Sequence, residues 1–520
     1  MQPQDVSPIR RVLQIVAGIF FCFTIAGLVF GFAALKPILR DSGVYAHLCN
    51  DGERYCKAQD TRLNVLFIVA TSVNNVAALP MGSFLDRVGP RVSSIVGGVL
   101  FGAGCVIFSL GIVNAYIDTY LIGYALLAVG APAMFLAQFH LSNAFPARSG
   151  LILSALTGAF DASSLPLCFF KIAYFSLGGK PTVKAFFLGY TIIPILLILQ
   201  QTFFAPSTAY SRPLPQSTTI LDEDGDPLRP SPHPVQTDAE ENFASSFSRV
   251  SYNVYAGADD DEVKELLQKG NGDGIVGAMF GEGVVGQVKS SWFWAMEFMI
   301  LVHMTRINWY LATVNTQLIY YTGQENLAET LTTAFIFLLP LGGLASIPFV
   351  GYLLDSRPTL DVTLLLSLIG FLFGVLTLSS AMIPQLIGIG MLVVFRPLFY
   401  TAVSDYAAKV FGFKTFGTVY GASSMIALAN EPGLAMTLSG LFGLILTPLG
   451  ELSTFLLTSP AFPSSLRVDI LVKGPLNGSY TLVNVILLIL GVISSLTLAG
   501  KVWRYTRHGQ VGLEESEEHE

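Results

Sequence analysis

Charged and hydrogen-bonding side chains recur at helical spacing inside long apolar runs of this chain. Arg306 and Tyr310 share one helical stripe with His303, Thr313 and Gln317. A charge in hydrocarbon is costly, so such a stripe is expected to face a cavity or a partner. A guanidinium in a cavity binds a carboxylate through two parallel hydrogen bonds. The stripe therefore predicts a site for an anionic group, with Arg306 as its anchor.

Other apolar runs carry matching polar residues. A zwitterion that enters a cavity of low dielectric needs donors for its carboxylate and an acid for its ammonium group. Arg306 and Asp161 fit these two roles, and Tyr310 and Phe30 are candidates for an apolar wall. The predicted substrate-binding residues are Arg306, Tyr310, Asp161, Ser164, Phe30, Asn74, Arg396 and Tyr400.

Each of these residues also has a structural interpretation. Arg396 could pair with Asp405 or with a helix end and hold the protein together. Phe30 stands between Gly27 and Gly31, a spacing that is more often a close contact between two helices. Both interpretations stay open at the level of the sequence.

The elements that position these residues are predicted to be membrane helices. Of the 520 residues, 52% are hydrophobic and only 12% are charged, and the mean hydropathy is +0.59. Soluble domains carry about 25% charged residues, so this chain needs lipid around it. Runs of about 20 apolar residues span a bilayer. The predicted spans are 12–38, 62–84, 92–113, 117–140, 150–174, 184–204, 291–320, 328–353, 361–380, 384–405, 415–447 and 481–503.

The sequence therefore predicts an all-α, polytopic membrane protein with 12 transmembrane helices in two halves. The predicted divisions are an N-terminal six-helix half at 1–205, a linker at 206–290, a C-terminal six-helix half at 291–505 and an acidic tail at 506–520. The linker is rich in Ser, Pro and acids, a composition typical of disorder, with one short helix expected near 259–269. Its two Gly-x-Gly-x-x-Gly matches, at 272–277 and 281–286, follow no predicted strand, so we discount nucleotide binding.

The charge distribution predicts the orientation. Residues 206–288 and 514–520 hold 19 of the 36 acidic residues and 5 of the 29 basic ones, so the membrane body is basic. The short loops on the side of the termini carry more Arg and Lys than those opposite, which predicts that both termini and the linker are cytosolic. Asn477, in an Asn-Gly-Ser sequon, then falls outside as a predicted glycosylation site. The acidic net charge gives no reason to expect nucleic-acid binding.

Two spacings reveal an internal repeat. Gly82 precedes Asp86 by four residues after the second span, and Gly351 precedes Asp355 by four after the eighth. Gly82 and Gly351 are 269 residues apart, and Gly150 and Gly417, at the starts of the fifth and eleventh spans, are 267 apart. A nearly constant offset indicates two duplicated six-helix halves.

The segment from Gly82 to Arg91 resembles the signature loop of the major facilitator superfamily, which implies a two-lobed fold with alternating access. Glycine lets two helices touch, and Asp86 can meet an opposing helix N-terminus or a base. The alternative is a basic loop that only sets topology. The predicted gating residues are Gly82, Asp86, Arg87, Gly89, Arg91, Gly351, Asp355 and Arg357.

A narrower resemblance runs through most of the membrane part. Asn74-Asn75, Gly158-Ala-Phe-Asp161-Ala-Ser163-Ser164, Arg306 with Tyr310 and Asn315, and Phe416-Gly417-Thr-Val-Tyr420-Gly421 occur in order. Together they resemble solute carrier family 43, whose members transport large neutral amino acids without sodium. The resemblance implies facilitated diffusion of leucine-like amino acids, although the linker and some cavity positions depart from the animal members.

Two cysteines share the first predicted outer loop. Cys49 and Cys56 would face oxidising conditions there, which predicts a disulfide, with two free thiols as the alternative. No cysteine or histidine spacing matches a metal site, so we expect no metal and no cofactor.

Three functions remain open at the level of the sequence. The first is a facilitative amino-acid transporter, the second a proton-coupled symporter of another solute in which Asp161 or His303 titrates, and the third a nutrient receptor on a transporter fold. No nucleophile elbow or Walker loop occurs, so we expect no enzyme and no ATP-driven pump. We expect a monomer in the plasma membrane or a vacuolar or lysosome-like membrane, with a small molecule and lipid as its partners.

Overall fold

The computed structural model describes residues 5–49, 56–114, 116–206, 208–210, 275–427 and 480–517. Its N-terminal half is built from nine helical segments, which we number in chain order. They are α1 (Pro8–Phe21), α2 (Phe32–Asp41), α3 (Lys57–Val88), α4 (Pro90–Leu110), α5 (Thr119–Gln138), α6 (Ser149–Ala162), α7 (Leu165–Ser176), α8 (Val183–Tyr190) and α9 (Ile192–Phe203).

The C-terminal half contributes seven helical segments within the described residues. Its segments are α10 (Val284–Lys289), α11 (Ser291–Thr322), α12 (Glu325–Ser356), α13 (Thr359–Leu376), α14 (Met382–Phe411), α15 (Phe416–Ala427) and α16 (Tyr480–Glu517). Within the described ranges, nine segments are long and apolar enough to cross a bilayer. All backbone groups of a helix are satisfied internally, which is why this architecture suits lipid. The all-α, two-half membrane fold predicted from the sequence is confirmed.

Several spans are interrupted. The first span changes from α1 through a π-helical turn, Cys22–Ala26, and a 3₁₀ turn, Leu28–Gly31, into α2. The fifth breaks between α6 and α7 at Ser163 and Ser164. Both breaks lie side by side, because Gly27 packs against Ser163 and Gly31 against Ser164.

One face of the bundle carries both ends of the linker, and we call it the linker face. The start of α1 lies beside the end of α9 there, since the Gln14 side chain donates to the Phe204 carbonyl at 2.6 Å. The start of α11 meets α16 there, where the Lys501 ammonium donates to Ser291 Oγ at 2.6 Å. Glycines with positive φ, Gly89 and Gly412, turn the chain at this face between α3 and α4 and after α14.

The predicted boundaries of the linker are wrong at its C-terminal end. Residues 275–290 are folded, with Ile275 and Val276 fully buried. The Gly277 and Met279 N–H groups donate at 3.0 Å to Lys409 and Val410 carbonyls, which are left without helical partners at the end of α14. We call residues 275–290 the linker clip.

Two further corrections to the sequence predictions concern the bounds of segments. Tyr210, just inside the predicted linker, is buried, and its hydroxyl donates to Gln14 Oε1 at 2.6 Å. At the C-terminus α16 continues to Glu517, so most of the predicted tail extends a helix whose span was expected to end at 503. The expected helix near 259–269 lies outside the described residues.

Candidate functional site

The two halves meet at the linker face through a carboxylate from each. Asp86, at the end of α3, accepts hydrogen bonds from the Gly417 N–H at 2.9 Å and the Thr418 N–H at 2.7 Å. The Thr418 hydroxyl donates to the same carboxylate at 2.6 Å. These N–H groups begin α15 and have no helical partner of their own, so Asp86 caps a helix of the opposite half.

Asp355 makes the mirrored contact. It ends α12 and accepts from the Gly150 N–H at 2.6 Å and the Leu151 N–H at 3.1 Å, at the start of α6. A carboxylate at a helix N-terminus is also favoured by the helix dipole. The repeat that the sequence revealed is thus a pair of reciprocal caps, each crossing from one half to the other.

Glycines bring the helix backbones together beside each cap. A Cβ on Gly82 would overlap the Gly417 backbone, and a Cβ on Gly351 would lie 2.6 Å from the Leu151 Cα. The other predicted gating residues lie around these contacts. Arg91 donates to the Ala205 carbonyl, while Arg87 and Arg357 are exposed at the linker face.

Further from the linker face, two polar pairs join the halves. Thr157 on α6 and Thr401 on α14 share a hydrogen bond of 2.7 Å and are both buried. Beyond them, Arg396 Nη2 lies 3.2 Å from Asp161 Oδ1. Asp161 is 12 residues from the start of α6, about 18 Å along the helix, which is past the middle of a bilayer.

The Asp161–Arg396 pair is only partly shielded. The side chain of Asp161 is 6% exposed and that of Arg396 is 21% exposed. Arg396 also lies over the Tyr400 ring, 5.8 Å from its centroid. One structural interpretation of the sequence paired Arg396 with Asp405. In the structure, Arg396 pairs with Asp161, and the Asp405 carboxylate pairs with the Lys409 ammonium at 2.6 Å.

The remaining predicted N-terminal residues lie on the elements around this pair. Phe30 packs edge to face on Phe160, at 5.8 Å between ring centroids, and is 38% exposed. Ser164 stands at the break between α6 and α7, against Gly31. Asn74 is half-buried on α3. Phe30 thus contacts the residue that precedes Asp161, and Ser164 follows Asp161 by three residues, beyond the end of α6.

Arg306 and Tyr310 lie elsewhere. The Arg306 guanidinium donates to the Gly370 carbonyl at 2.6 Å and lies 4.7 Å from the centre of the Phe373 ring, both on α13. Tyr310 contacts the same ring, at 5.2 Å between centroids. Both side chains are therefore turned into the C-terminal half, and the structure does not bring them to Asp161. Their role in substrate binding stays a prediction.

Other residues of the α11 stripe also point into the C-terminal half. His303 Nε2 is 2.9 Å from the Oγ of Ser495, and the Gln317 side chain accepts from the amide of Asn484 at 2.8 Å. Ser495 and Asn484 are both on α16. Asn484 also accepts from the Trp309 indole N–H at 2.9 Å. The stripe thus fastens α11 to α13 and α16.

Sequence reasoning missed four residues of these contacts. Thr418, Thr401 and Ser423 are small hydroxyl residues in apolar runs, and nothing in their local pattern marks them. Glu297 carried a signal, because it is an acid inside Ser291–Val302, an otherwise apolar run. It is 2% exposed and accepts from the Ser423 hydroxyl at 2.6 Å.

The face opposite the linker face carries the disulfide. Cys49 and Cys56 are joined with Cα atoms 5.5 Å apart, next to the start of α3. Nearby, Tyr45 donates to Asp118 Oδ2 at 2.8 Å, and Arg62 lies 3.1 Å from the same oxygen. Burial and the Asp118 carboxylate raise the pKa of Tyr45, so its hydroxyl stays a donor. Asn477 lies outside the described residues.

These contacts define a class of protein. Two pseudo-symmetric helical halves, closed at one face by reciprocal caps and joined near mid-membrane by an ion pair, form a transporter with two lobes. Among solved structures, the proton:xylose symporter XylE has the same fold, with a TM-score of 0.53 and 14% sequence identity over 95% of each chain.

The family model of the Major Facilitator Superfamily matches residues 15–429. This chain belongs to that family and is a multi-pass membrane transporter, not an enzyme. It is 40% identical to Protein FMP42 of Saccharomyces cerevisiae over 80% of this chain and 86% of that protein. It is 23% identical to Arginine transporter 1 of Toxoplasma gondii over 80% of each. It is 25% identical to human Large neutral amino acids transporter small subunit 3 over 29% of each.

Proposed function

We propose that this transporter carries an amino acid down its concentration gradient by alternating access, with the substrate held at Asp161 and Arg396. One observation carries the proposal. An acid and a base from opposite halves meet about 18 Å along α6 from its start at the linker face, and the Arg396 side chain is 21% exposed there. In the state described here the caps close the linker face, so we expect a substrate to reach this pair from the far face.

The chemistry of the pair suits a zwitterion. The guanidinium of Arg396 can offer two parallel N–H donors to an α-carboxylate, and the carboxylate of Asp161 can accept from an α-ammonium group. Without substrate the two side chains neutralise each other. A zwitterion replaces their mutual contact with two contacts of the same kind, so little electrostatic energy is lost when it enters. A neutral sugar offers no such exchange.

The neighbouring rings bear on the side chain of the substrate. Tyr400 lies against Arg396, and Phe30 packs on Phe160, the residue that precedes Asp161. Apolar surface favours a leucine-like side chain over a charged one. Among the relatives, one is named for large neutral amino acids and one for arginine. We therefore propose large neutral amino acids as the substrate class.

Uptake by the purified protein in liposomes tests the proposal. Radiolabelled leucine should enter saturably and stop at equal concentrations, with no effect of sodium. A competition panel of the common amino acids and neutral sugars defines the class. Accumulation above equal concentrations under an imposed proton gradient would instead establish the proton-coupled alternative, and a sugar that outcompetes every amino acid would exclude an amino-acid site.

Two variants locate the site. Arg396→Lys keeps the charge but loses the paired donors, and we expect uptake efficiency to fall about 10- to 100-fold, since a charge-assisted hydrogen bond contributes about 1.5–3 kcal/mol. The uptake efficiency of Asp161→Asn should fall by a similar factor. Arg62→Lys is the matched control, because Arg62 forms an ion pair of 3.1 Å with Asp118 inside one half. Equal effects of the two lysine variants would remove the pair from the substrate site.

The orientation is also a proposal. The charge distribution favours a cytosolic linker face, so protease added outside sealed cells should leave the linker intact. Cleavage of the linker under these conditions would invert the assignment. Because facilitated diffusion runs in either direction, the proposed function holds for both orientations.

A further inference from the structure

One face of the fifth span carries a residue at every third or fourth position, from the contact between the halves toward the far face. We call these residues the α6–α7 stripe: Thr157, Asp161, Ser164, Cys168 and Lys171. Residues three or four apart share one face of a helix. Ser163 and Ser164, at the break between α6 and α7, keep right-handed helical dihedral angles, so the face continues across the break.

The environment of the stripe changes along its length. Its first two members contact α14 of the opposite half, through Thr401 and Arg396. Thr157 is 5% exposed in that contact, whereas Ser164, Cys168 and Lys171 are half-buried. The stripe thus leaves the contact between the halves and follows the route by which a substrate from the far face would reach the Asp161–Arg396 pair.

The other faces of α7 have different surroundings. Leu167 is 0% exposed and packs against Gly31, at the start of α2. Phe169 and Ile172 are 61% and 63% exposed, as expected for side chains that face lipid. Lys171 therefore lies on neither the packed face nor the most exposed apolar face of α7.

Lys171 brings a positive charge to this route. Between positions 149 and 176, Asp161 and Lys171 are the only charged residues, and Arg396 neutralises Asp161. Lys171 follows Asp161 by ten residues, about 15 Å along the span toward the far face. A cleft with walls of low dielectric focuses the field of such a charge on whatever passes through it.

Two other bases of the N-terminal half near the far face are paired with acids. Lys36 lies 2.8 Å from Asp60, and Arg62 lies 3.1 Å from Asp118. Opposite charges at these distances largely cancel each other's field further away. These two pairs therefore add little to the potential along the stripe.

We propose that Lys171 is a specificity-determining residue that disfavours cationic amino acids on their way from the far face to the Asp161–Arg396 pair. A neutral amino acid is a zwitterion without net charge, so a distant ammonium group has little effect on it. An arginine-like substrate carries a net positive charge and is repelled. The inference rests on the proposed function and deepens it, because it names a charge that separates neutral from cationic substrates.

Coulomb's law gives the size of the effect. At about 15 Å, the repulsion of two unit charges corresponds to a factor of about two to six in affinity, for effective dielectric constants of about 80 to 20. Salt screens such charges over about 8 Å at 0.15 M ionic strength and about 30 Å at 0.01 M. The discrimination should therefore be stronger at low ionic strength.

Competition in liposomes measures the discrimination in the full-length protein. The KM for leucine and the inhibition constant of arginine are compared between variants at low salt. Lys171→Gln should tighten arginine relative to leucine about two- to sixfold, and Lys171→Glu by about the square of that factor. Lys171→Arg keeps the charge and should keep the parental ratio. Lys184→Glu is the matched control, because it makes the same charge change at an exposed position at the start of α8.

Cys168 reports the potential along the stripe without any transport. It is a free, half-buried thiol three residues before Lys171, whereas the free thiols of Cys22 and Cys105 are buried. Anionic and cationic methanethiosulfonates are reacted with the purified protein in detergent. The ratio of the anionic to the cationic rate should fall in Lys171→Glu, most strongly at low ionic strength. Cys168→Ala should abolish the labelling.

The two measurements separate this inference from the proposed function. If the parent takes up no amino acid, the proposed function fails and the specificity role fails with it. If the parent carries leucine, an arginine constant or a labelling ratio that is the same in Lys171→Glu as in the parent overturns this inference alone. An equal change in Lys184→Glu would also overturn it, because net charge rather than position would then decide.

Discussion

The contact between the halves and the interior of the C-terminal half are built from different chemistry. Between the halves, glycine backbones touch, two carboxylates cap helix ends, and one ion pair of 3.2 Å bridges the middle. Inside the C-terminal half, α11 is held to α13 and α16 by a network of amide, imidazole, indole and guanidinium groups. That network includes Arg306, His303, Trp309, Gln317 and Asn484.

The difference follows from what each surface must do. A cap on a helix end can be exchanged for water at the surface of the membrane, so the contact between the halves can break with a small change in free energy. A side-chain network in hydrocarbon has no water to replace its partners. We infer that the first surface opens in each transport cycle and that the second stays intact.

The largest expected effect comes from a larger side chain at the glycine contact between the halves. Gly82→Leu should abolish transport, because its side chain would overlap the Gly417 backbone and prevent the linker face from closing. Leucine uptake and spin-label distances across the gate measure this. Gly189→Leu is the control, since nothing lies within 4 Å of that position. Full transport by Gly82→Leu would show that the close approach is dispensable.

The second variant tests the interior. Arg306→Lys should lower the stability of the protein by about 2 kcal/mol, because lysine cannot both reach the Gly370 carbonyl and cover the Phe373 ring. The KM for the substrate should be unchanged. Thermal unfolding in detergent and uptake kinetics separate these effects. A raised KM with unchanged stability would restore Arg306 as the substrate anchor that the sequence predicted.

The two caps should have smaller and similar effects. Asp86→Asn removes one charged cap and should shift the gate toward its open state by about 1 kcal/mol, with protein abundance near normal. Asp355→Asn should match it, and the double variant should add the two shifts. Spin-label distances report the populations. If Asp86→Asn leaves both the distances and the uptake rate unchanged, the signature loop sets topology alone.

The smallest effect is expected at the network's edge. Ser495→Ala removes only the hydroxyl that contacts His303 Nε2, and such bonds within membrane helices contribute about 0.6 kcal/mol. Stability should fall by that amount, while the ratio of open to closed molecules stays constant. A changed ratio would mean that the interior of the C-terminal half moves during the cycle.

The sequence predicted the fold and the caps because both rest on local or repeated patterns. Long apolar runs specify spans, and the equal offsets of Gly82–Gly351 and Gly150–Gly417 mark equivalent positions of two halves. An acid four residues after each glycine at a helix end can meet an opposing helix N-terminus or a base, and the sequence does not choose between these two partners. Asp86 and Asp355 could therefore be singled out from sequence alone.

The direction of the α11 stripe could not be predicted. Helical periodicity places Arg306 and His303 on one face, yet it does not say whether that face meets a cavity or a neighbouring helix. Only the tertiary arrangement, which sets α13 and α16 against it, decides. The linker clip was missed for a different reason, since the acidic residues before it dominate the composition and hide the short apolar pair Ile275 and Val276.

The linker is anchored to the N-terminal half at Tyr210 and to the C-terminal half at the linker clip, so each half holds its own end of the linker. Tyr210 belongs to the N-terminal half, and residues 275–290 seat Gln287, whose amide reaches Met279, Phe411 and Thr415 of the C-terminal half. Residues 211–274 therefore connect two anchors, at Tyr210 and at the linker clip, that are each made by residues outside that stretch. We expect an insertion within that stretch to leave both anchors in place, because each anchor is made by residues outside it.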